Sequence, residues 1–164
     1  MSTVALEADR VAELYALADP DGPVSEQVEA LVDRAAEIAG VPMATLNLID
    51  SDRQCQAATT GFEGSTSSRD DAMCSVTIRL GAIVVVADAS QDARFAHSPW
   101  VDGRLAEVRF YASAPLTTRR GHVIGTLCVF DVEPHHISPQ QVAQLLALAA
   151  QVVRVFEDEA AARA

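Results

Sequence analysis

A chain of 164 residues has room for one domain with an additional terminal helix and excludes two full domains. Its hydrophobic content of 49%, only 5% of the chain being aromatic, fills a core with Ala, Val, Leu and Ile and excludes disordered and fibrous classes. Acidic residues number 23 against 12 basic ones, every one of them Arg, and the formal net charge of −11 excludes the electrostatic footprint of a nucleic-acid or anionic-membrane binder.

Met1 to Arg10 carries Glu7 and Asp9 and lacks the basic and apolar regions of a secretory signal, so the expectation is a cytoplasmic protein. From Asp9 to Ala18, Val11, Leu14, Tyr15 and Ala18 fall on one helical face, and Asp19-Pro20-Asp21-Gly22-Pro23 ends that helix. Residues 1–22 are therefore read as an N-terminal helix and linker, and 23–164 as the main domain. Ser25 caps a second helix running to Ala39, with Gly40 as its C-terminal cap. Met43 to Asp50 and Arg53 to Thr60 read as a hairpin around Asp50-Ser51-Asp52, where Asp50 and Asp52 accept turn amides. Gly61 to Asp71 reads as a mobile loop, Met73 to Leu80 as a short helix, and Ile83 to Ala87 as a strand.

Asp88 to Glu107 is irregular yet carries Phe95 and Trp100, the pattern of a lid, with Asp92 and Arg94 tying it and Phe95 plugging the core. Val108 to Leu116 and His122 to Asp131 predict a second hairpin, in which Pro115 ends its strand at a sheet edge and Gly125 marks a bulge or close backbone approach. Ser138 to about Glu159 is an amphipathic helix, too polar to span a membrane. The order predicts an α+β fold: a central antiparallel sheet of five or six strands, N- and C-terminal helices on one face, and the irregular lid on the other. A pocket between sheet and lid follows.

No nucleophile, base or acid pair has diagnostic spacing, so no catalytic residue is assigned. His135-His136 beside Glu133 reads as a solvated loop pair and not as a metal site; His122 reads as an exposed hairpin tip; His97 is the histidine placed to touch a pocket, with a capping or surface role favoured over ligation. Three cysteines, Cys55, Cys74 and Cys128, are odd in number and lack a C-x-x-C, which argues against a disulfide framework or zinc. Cys128 reads as packing in a buried strand. Cys74 reads first as a small buried hydrophobe, with oxidation sensitivity the alternative if it is exposed at a helix N-terminus.

Four ordered segments resemble the GAF domains, specifically the bacterial branch found ahead of histidine kinases and diguanylate cyclases. They are LIDSDRQ at 48–54, VADASQDARFAHSPWV at 86–101, VRFYASAPL at 108–116, and GHVIGTLCVFD at 121–131 followed by SPQQVAQLLALAAQV. The resemblance covers roughly Val11 to Phe156. It implies a ligand between sheet and lid, which makes Phe95, His97, Trp100, Arg109, Tyr111, Ser113 and Cys74 candidate ligand-binding residues. Alternation puts Arg109, Tyr111 and Ser113 on one face of their strand and leaves open which face is inward. An ion pair of Arg109 with Glu107 or a lid Asp is favoured over a clamp on a ligand's carboxylate or phosphate.

The chain departs from the better-defined subfamilies. The Asn-Lys-x-Phe-Asp-Glu pattern of cyclic-nucleotide-binding members is impossible in a chain with no lysine, and the 87–116 stretch lacks the cysteine that free methionine sulfoxide reductases place there. Bilin- and haem-binding relatives use an attachment cysteine or an axial histidine in the lid, which leaves only His97 here, and no cofactor is assigned.

The function expected is a non-catalytic sensory or regulatory domain that binds a small molecule or a signalling partner and transmits through its terminal helices. The family's helix pairing implies a homodimer with Val142, Leu145, Ala149, Val152 and Phe156 near the seam. No output domain follows Ala164, so the chain is expected to act alone, on a kinase or cyclase in trans, or to be a fragment. Two alternatives stand beside this reading: a thiol-dependent reductase of small metabolites, using Cys74 with Cys128 or Cys55 as resolving partner, and a degenerate GAF dimerisation module with a collapsed pocket.

Overall fold

The computed structural model describes residues 3–164. Its helices are α1 (Thr3–Leu17), α2 (Glu26–Ala39), α3 (Cys74–Leu80) and α4 (Pro139–Arg163). Strands β1 (Met43–Ile49), β2 (Arg53–Thr60), β3 (Thr66–Ser68), β4 (Val84–Val86), β5 (Phe110–Thr117) and β6 (Val123–Asp131) form one antiparallel sheet in the spatial order β3-β2-β1-β6-β5-β4. The fold is α+β, as the element order predicted.

The two faces follow from period-two alternation. Ala44, Leu46 and Leu48 of β1, Phe110, Ala112 and Ala114 of β5, and Leu127 and Val129 of β6 join the larger core beneath α1, α2 and α4. Ile49, Tyr111 and Cys128 turn the other way, into a second cluster roofed by α3 and residues 88–107. No helix of the described residues is long and apolar enough to cross a membrane.

Local chemistry sets the helix ends. The Ser25 hydroxyl accepts from the Val28 amide at 3.3 Å, Gly40 closes α2 in the left-handed region at φ 69°, and Ser138 with Gln141 forms a reciprocal capping box on α4. Helix α1 begins earlier than its apolar spacing predicted, because its first turns face solvent with Val4 and Leu6 exposed. Residue 22 is not a packing boundary. Leu14 is fully buried in the larger core, and the Arg10 guanidinium donates to Ile49 O at 2.8 Å, Asp50 O at 3.2 Å and Val123 O at 3.2 Å.

Two local expectations are corrected. The 61–71 loop contributes β3, whose three residues pair with Arg53, Gln54 and Cys55 at the sheet edge without any hydrophobic alternation of their own. Pro115 does not end its strand: β5 continues to Thr117, and Pro115 is tolerated because β4 stops opposite Ser113 and asks no amide of it.

The lid is tied as its residues suggested. Asp88 accepts from the Ser90 amide at 3.0 Å, and Asp92 accepts from both the amide and the guanidinium of Arg94. Phe95 is 1% exposed and meets Tyr111 edge-on at 5.5 Å.

The stripe of α4 is spent on the chain's own core. Leu145, Ala149, Val152 and Phe156 are all buried against α2 and the sheet, and Val142 is half-buried. Those four side chains are therefore occupied within the chain itself and offer no exposed seam to a second helix.

Candidate functional site

On the lid side of the sheet, polar residues recur at every second position of neighbouring strands. Thr45 and Asn47 come from β1, Gln54 and Gln56 from β2, Thr126 and Cys128 from β6, and Tyr111 and Ser113 from β5; Cys74, the first residue of α3, descends onto them. The Cys74 sulfur lies 3.4 Å from that of Cys128. It accepts from Asn47 Nδ2 and Thr126 Oγ1, each at 3.0 Å, and lies 3.2 Å from the Tyr111 hydroxyl. Thr45 orients Asn47 by donating to its Oδ1 at 2.9 Å; Ser113 accepts from Cys128 at 3.3 Å and from Thr77 at 2.8 Å.

These contacts separate the two thiols electrostatically. Burial pushes Cys74 up, yet the adjoining Cys128 thiol and the hydrogen bonds of Thr126, Tyr111 and Asn47 outweigh it and hold the thiol at about 7. Burial pushes Cys128 well above the ordinary thiol range, and the neighbouring Cys74 adds to this; Tyr111 is likewise raised by burial and the two sulfurs. So Cys74 is the acceptor of the knot and Cys128 keeps its proton.

A cavity of about 40 Å³ adjoins the knot, lined by Asn47, Gln54, Met73, Cys74, Trp100 and Cys128 among others. That is space for roughly two waters. Two polar atoms of its lining residues, Gln54 Oε1 and Trp100 Nε1, are buried and have no hydrogen-bond partner among the described residues. A buried acceptor and a buried donor left unpaired cost free energy unless something in the cavity meets them. Outside, a surface groove shares Gln56, Trp100 and Phe130 with the cavity.

The seven ligand candidates divide. Cys74, Trp100 and Tyr111 line the cavity, and Ser113 stands behind it on Cys128. Phe95 is the lid's plug and does not line it. His97 is exposed on an outer groove with Arg94 and Arg104, so the histidine expected to touch the pocket is outside it. Arg109 makes no ion pair with Glu107 or a lid Asp: its Nη1 donates to Val101 O at 2.8 Å and Val108 O at 3.0 Å, fastening the lid's end.

Asn47, Gln54 and Thr126 were missed, and Cys128 was read as packing, or in the reductase alternative as a resolving thiol. The signal lay in the alternation, since a polar residue at every second position of a strand whose other face is apolar marks a second, polar environment.

His135 is not a solvated loop residue. Its Nε2 lies 2.6 Å from Asp131 Oδ2, its ring meets Phe110 edge-on at 5.7 Å, and with Glu133 these side chains bring one ligand atom each within 4.8 Å. The imidazole nitrogen is engaged by Asp131, Glu133 is exposed, and the neighbouring His136 is exposed and outside the group. His122 is half-buried and lies 3.8 Å from a carboxylate oxygen of Glu13, not free at its hairpin tip.

The GAF domain family model matches residues 23–155. The chain belongs to the GAF domain family. Over 109 residues this GAF domain is 37% identical to a cyclic di-GMP phosphodiesterase of Pseudomonas aeruginosa; the match covers 66% of this chain and 18% of that protein, so the chain spans about a fifth of the relative's length. In structure it is similar to the GAF domain of a phosphoenolpyruvate-protein phosphotransferase of Coxiella burnetii, with TM-score 0.70 and 16% identity over 99% of this chain and 98% of that one. It is also similar to a type II free methionine-R-sulfoxide reductase of Thermoplasma acidophilum, with TM-score 0.66 and 13% identity over 93% and 96%. At such identities these likenesses show the shared fold. In this GAF domain the sheet-to-lid space is mostly filled by the second hydrophobic cluster, and the cavity is what remains open.

Proposed function

We propose that this GAF domain is a non-catalytic sensory or regulatory module whose cavity recognises a small polar species and whose terminal helices carry the change to a second copy or to a kinase or cyclase in trans. The observation that carries the reading is a cavity between sheet and lid whose lining residues include Gln54 and Trp100, each of which holds one buried, unpartnered polar atom, Oε1 and Nε1. A collapsed dimerisation module has no use for them, because apolar side chains there would pack without a desolvation cost.

A transmission route supports it. Arg10 of α1 is bonded to carbonyls at the end of β1, which bears Asn47, and at the start of β6, which bears Thr126 and Cys128. Helix α1 packs in turn on α4, where Leu146 is 40% exposed and offers an outward apolar contact.

Trp100 is the single tryptophan of the chain and reports on the cavity directly. The test is a screen of small polar molecules by Trp100 emission, followed by hydrogen exchange of α1 and α4. A compound that shifts emission and also changes exchange in the helices is the expected result. Binding that never reaches the helices overturns the transmission, and a screen in which nothing moves Trp100 favours the dimerisation module.

A second reading, a thiol-dependent reductase of small metabolites, draws on the Cys74–Cys128 contact at 3.4 Å. Turnover of free methionine sulfoxide with a dithiol reductant is its test.

A further inference from the structure

Two thiols at 3.4 Å stand one small adjustment from a disulfide, whose bond is about 2.05 Å long. They are chemically unequal, one sulfur collecting hydrogen bonds from Asn47 and Thr126 and the other keeping its proton, donated in a hydrogen bond to Ser113. Both line the same cavity, and that cavity is the size of a few small atoms. The lining includes the uncharged polar side chains of Thr45, Asn47, Gln54 and Gln56, so the fitting guest both donates and accepts and carries no charge.

We infer that Cys74 and Cys128 form a peroxide-responsive dithiol, in which hydrogen peroxide enters the cavity and converts the pair into an intramolecular disulfide. The inference rests on the reading of the cavity as a recognition site and names its guest by chemical class. The Cys74 thiolate attacks one oxygen of the peroxide and the O–O bond breaks; the departing hydroxide takes up the proton that Cys74 released and leaves as water. Cys74 is then a sulfenic acid, oxidised by two electrons, and the peroxide is reduced by two. The Cys128 sulfur next attacks the Cys74 sulfur and the S–O bond breaks; hydroxide leaves with the Cys128 proton as a second water. One peroxide and two thiols give one disulfide and two waters, with no other reductant consumed.

The bond ties α3 to β6 and removes Cys74 as the acceptor that Asn47 and Thr126 address, so those two residues must find new partners. Cys55, buried on β2 and pushed up by burial, does not line the cavity and takes no part.

The test uses the reduced full chain with one equivalent of hydrogen peroxide, then alkylation, intact mass and peptide mapping. The expected product is lighter by two hydrogen atoms, joins the Cys74 and Cys128 peptides, leaves Cys55 alkylated, and returns to dithiol with dithiothreitol. Cys128→Ser is expected to accumulate a Cys74 sulfenic acid that dimedone traps, and Cys55→Ser to form the bond as the wild type does. Unmodified Cys74 in a natively folded protein, or disulfides through Cys55 alone, overturns the inference; so does oxidation of the pair by methionine sulfoxide with release of methionine. A disulfide that forms while exchange in α1 and α4 stays unchanged supports this chemistry and refutes the transmission proposed above.

Discussion

Gly125 of β6 runs so close beneath Asn47 of β1 that a Cβ on the glycine would stand 2.0 Å from the Asn47 carbonyl oxygen. The close approach inferred from a glycine inside a β-branched strand is therefore real, and its beneficiary is the residue that donates to Cys74.

Gly125→Ala must push β1 and β6 apart at their ladder, because the obstructing atom is backbone. The expected cost is about 2–3 kcal/mol. Urea unfolding with an unchanged slope measures it, and a loss under about 0.5 kcal/mol would show that the strands yield freely.

Phe95 anchors the lid on Tyr111 and is buried to 1% exposure. Phe95→Ala leaves a void between lid and sheet, and the expected loss is about 3–5 kcal/mol. Hydrogen exchange should show residues 88–107 opening first, since the rest of that segment is held by short local bonds such as Asp92 to Arg94. Equal exchange in lid and sheet would contradict the anchoring.

Asp50 is pushed up by burial, but Tyr15, the Ser51 amide and Arg53 outweigh this and hold its carboxyl below the ordinary range. Its folded pKa lies below its unfolded one, so the stability it adds is present above the unfolded value near 3.9 and is lost as pH falls through the folded value. Asp50→Asn is expected to cost about 1 kcal/mol at neutral pH and to converge with the wild type once pH falls below the folded value. Comparing the two denaturation curves against pH isolates this group from Asp21, Asp92 and Asp102, which are also lowered.

Val152 and Leu146 separate folding from association on one helix. Val152 is fully buried in the chain's own core, so Val152→Glu should unfold the domain, whereas Leu146→Glu should keep the melting temperature within a few degrees. Sedimentation of the folded Leu146→Glu variant then reads association alone, and an unchanged sedimentation coefficient would remove Leu146 from any pairing surface.

Much of the architecture was legible because it is encoded locally. Ser25 and Gly40 bracket α2, Ser138 starts α4, and period-two alternation marks the faces of β1, β5 and β6. Strand β3 was not legible, since three residues pairing only with β2 at an edge bury little and leave no pattern. The α4 stripe was legible as apolar but not as to its partner, because a sheet and a second helix ask for the same periodicity.

The site divided in the same way. Tyr111 and Ser113 could be set on one face and Trp100 in the lid, but which face is inward depends on which side α1, α2 and α4 occupy.

The residues alone determined the family, the layering and the acidic, lysine-free surface, since these rest on short-range pattern and composition. Only the folded chain decided that Cys74 and Cys128, 54 positions apart, share one buried knot with Asn47. Pairing of β1 with β6 and the descent of α3 onto them are long-range events, and nothing within a few residues of either cysteine specifies them.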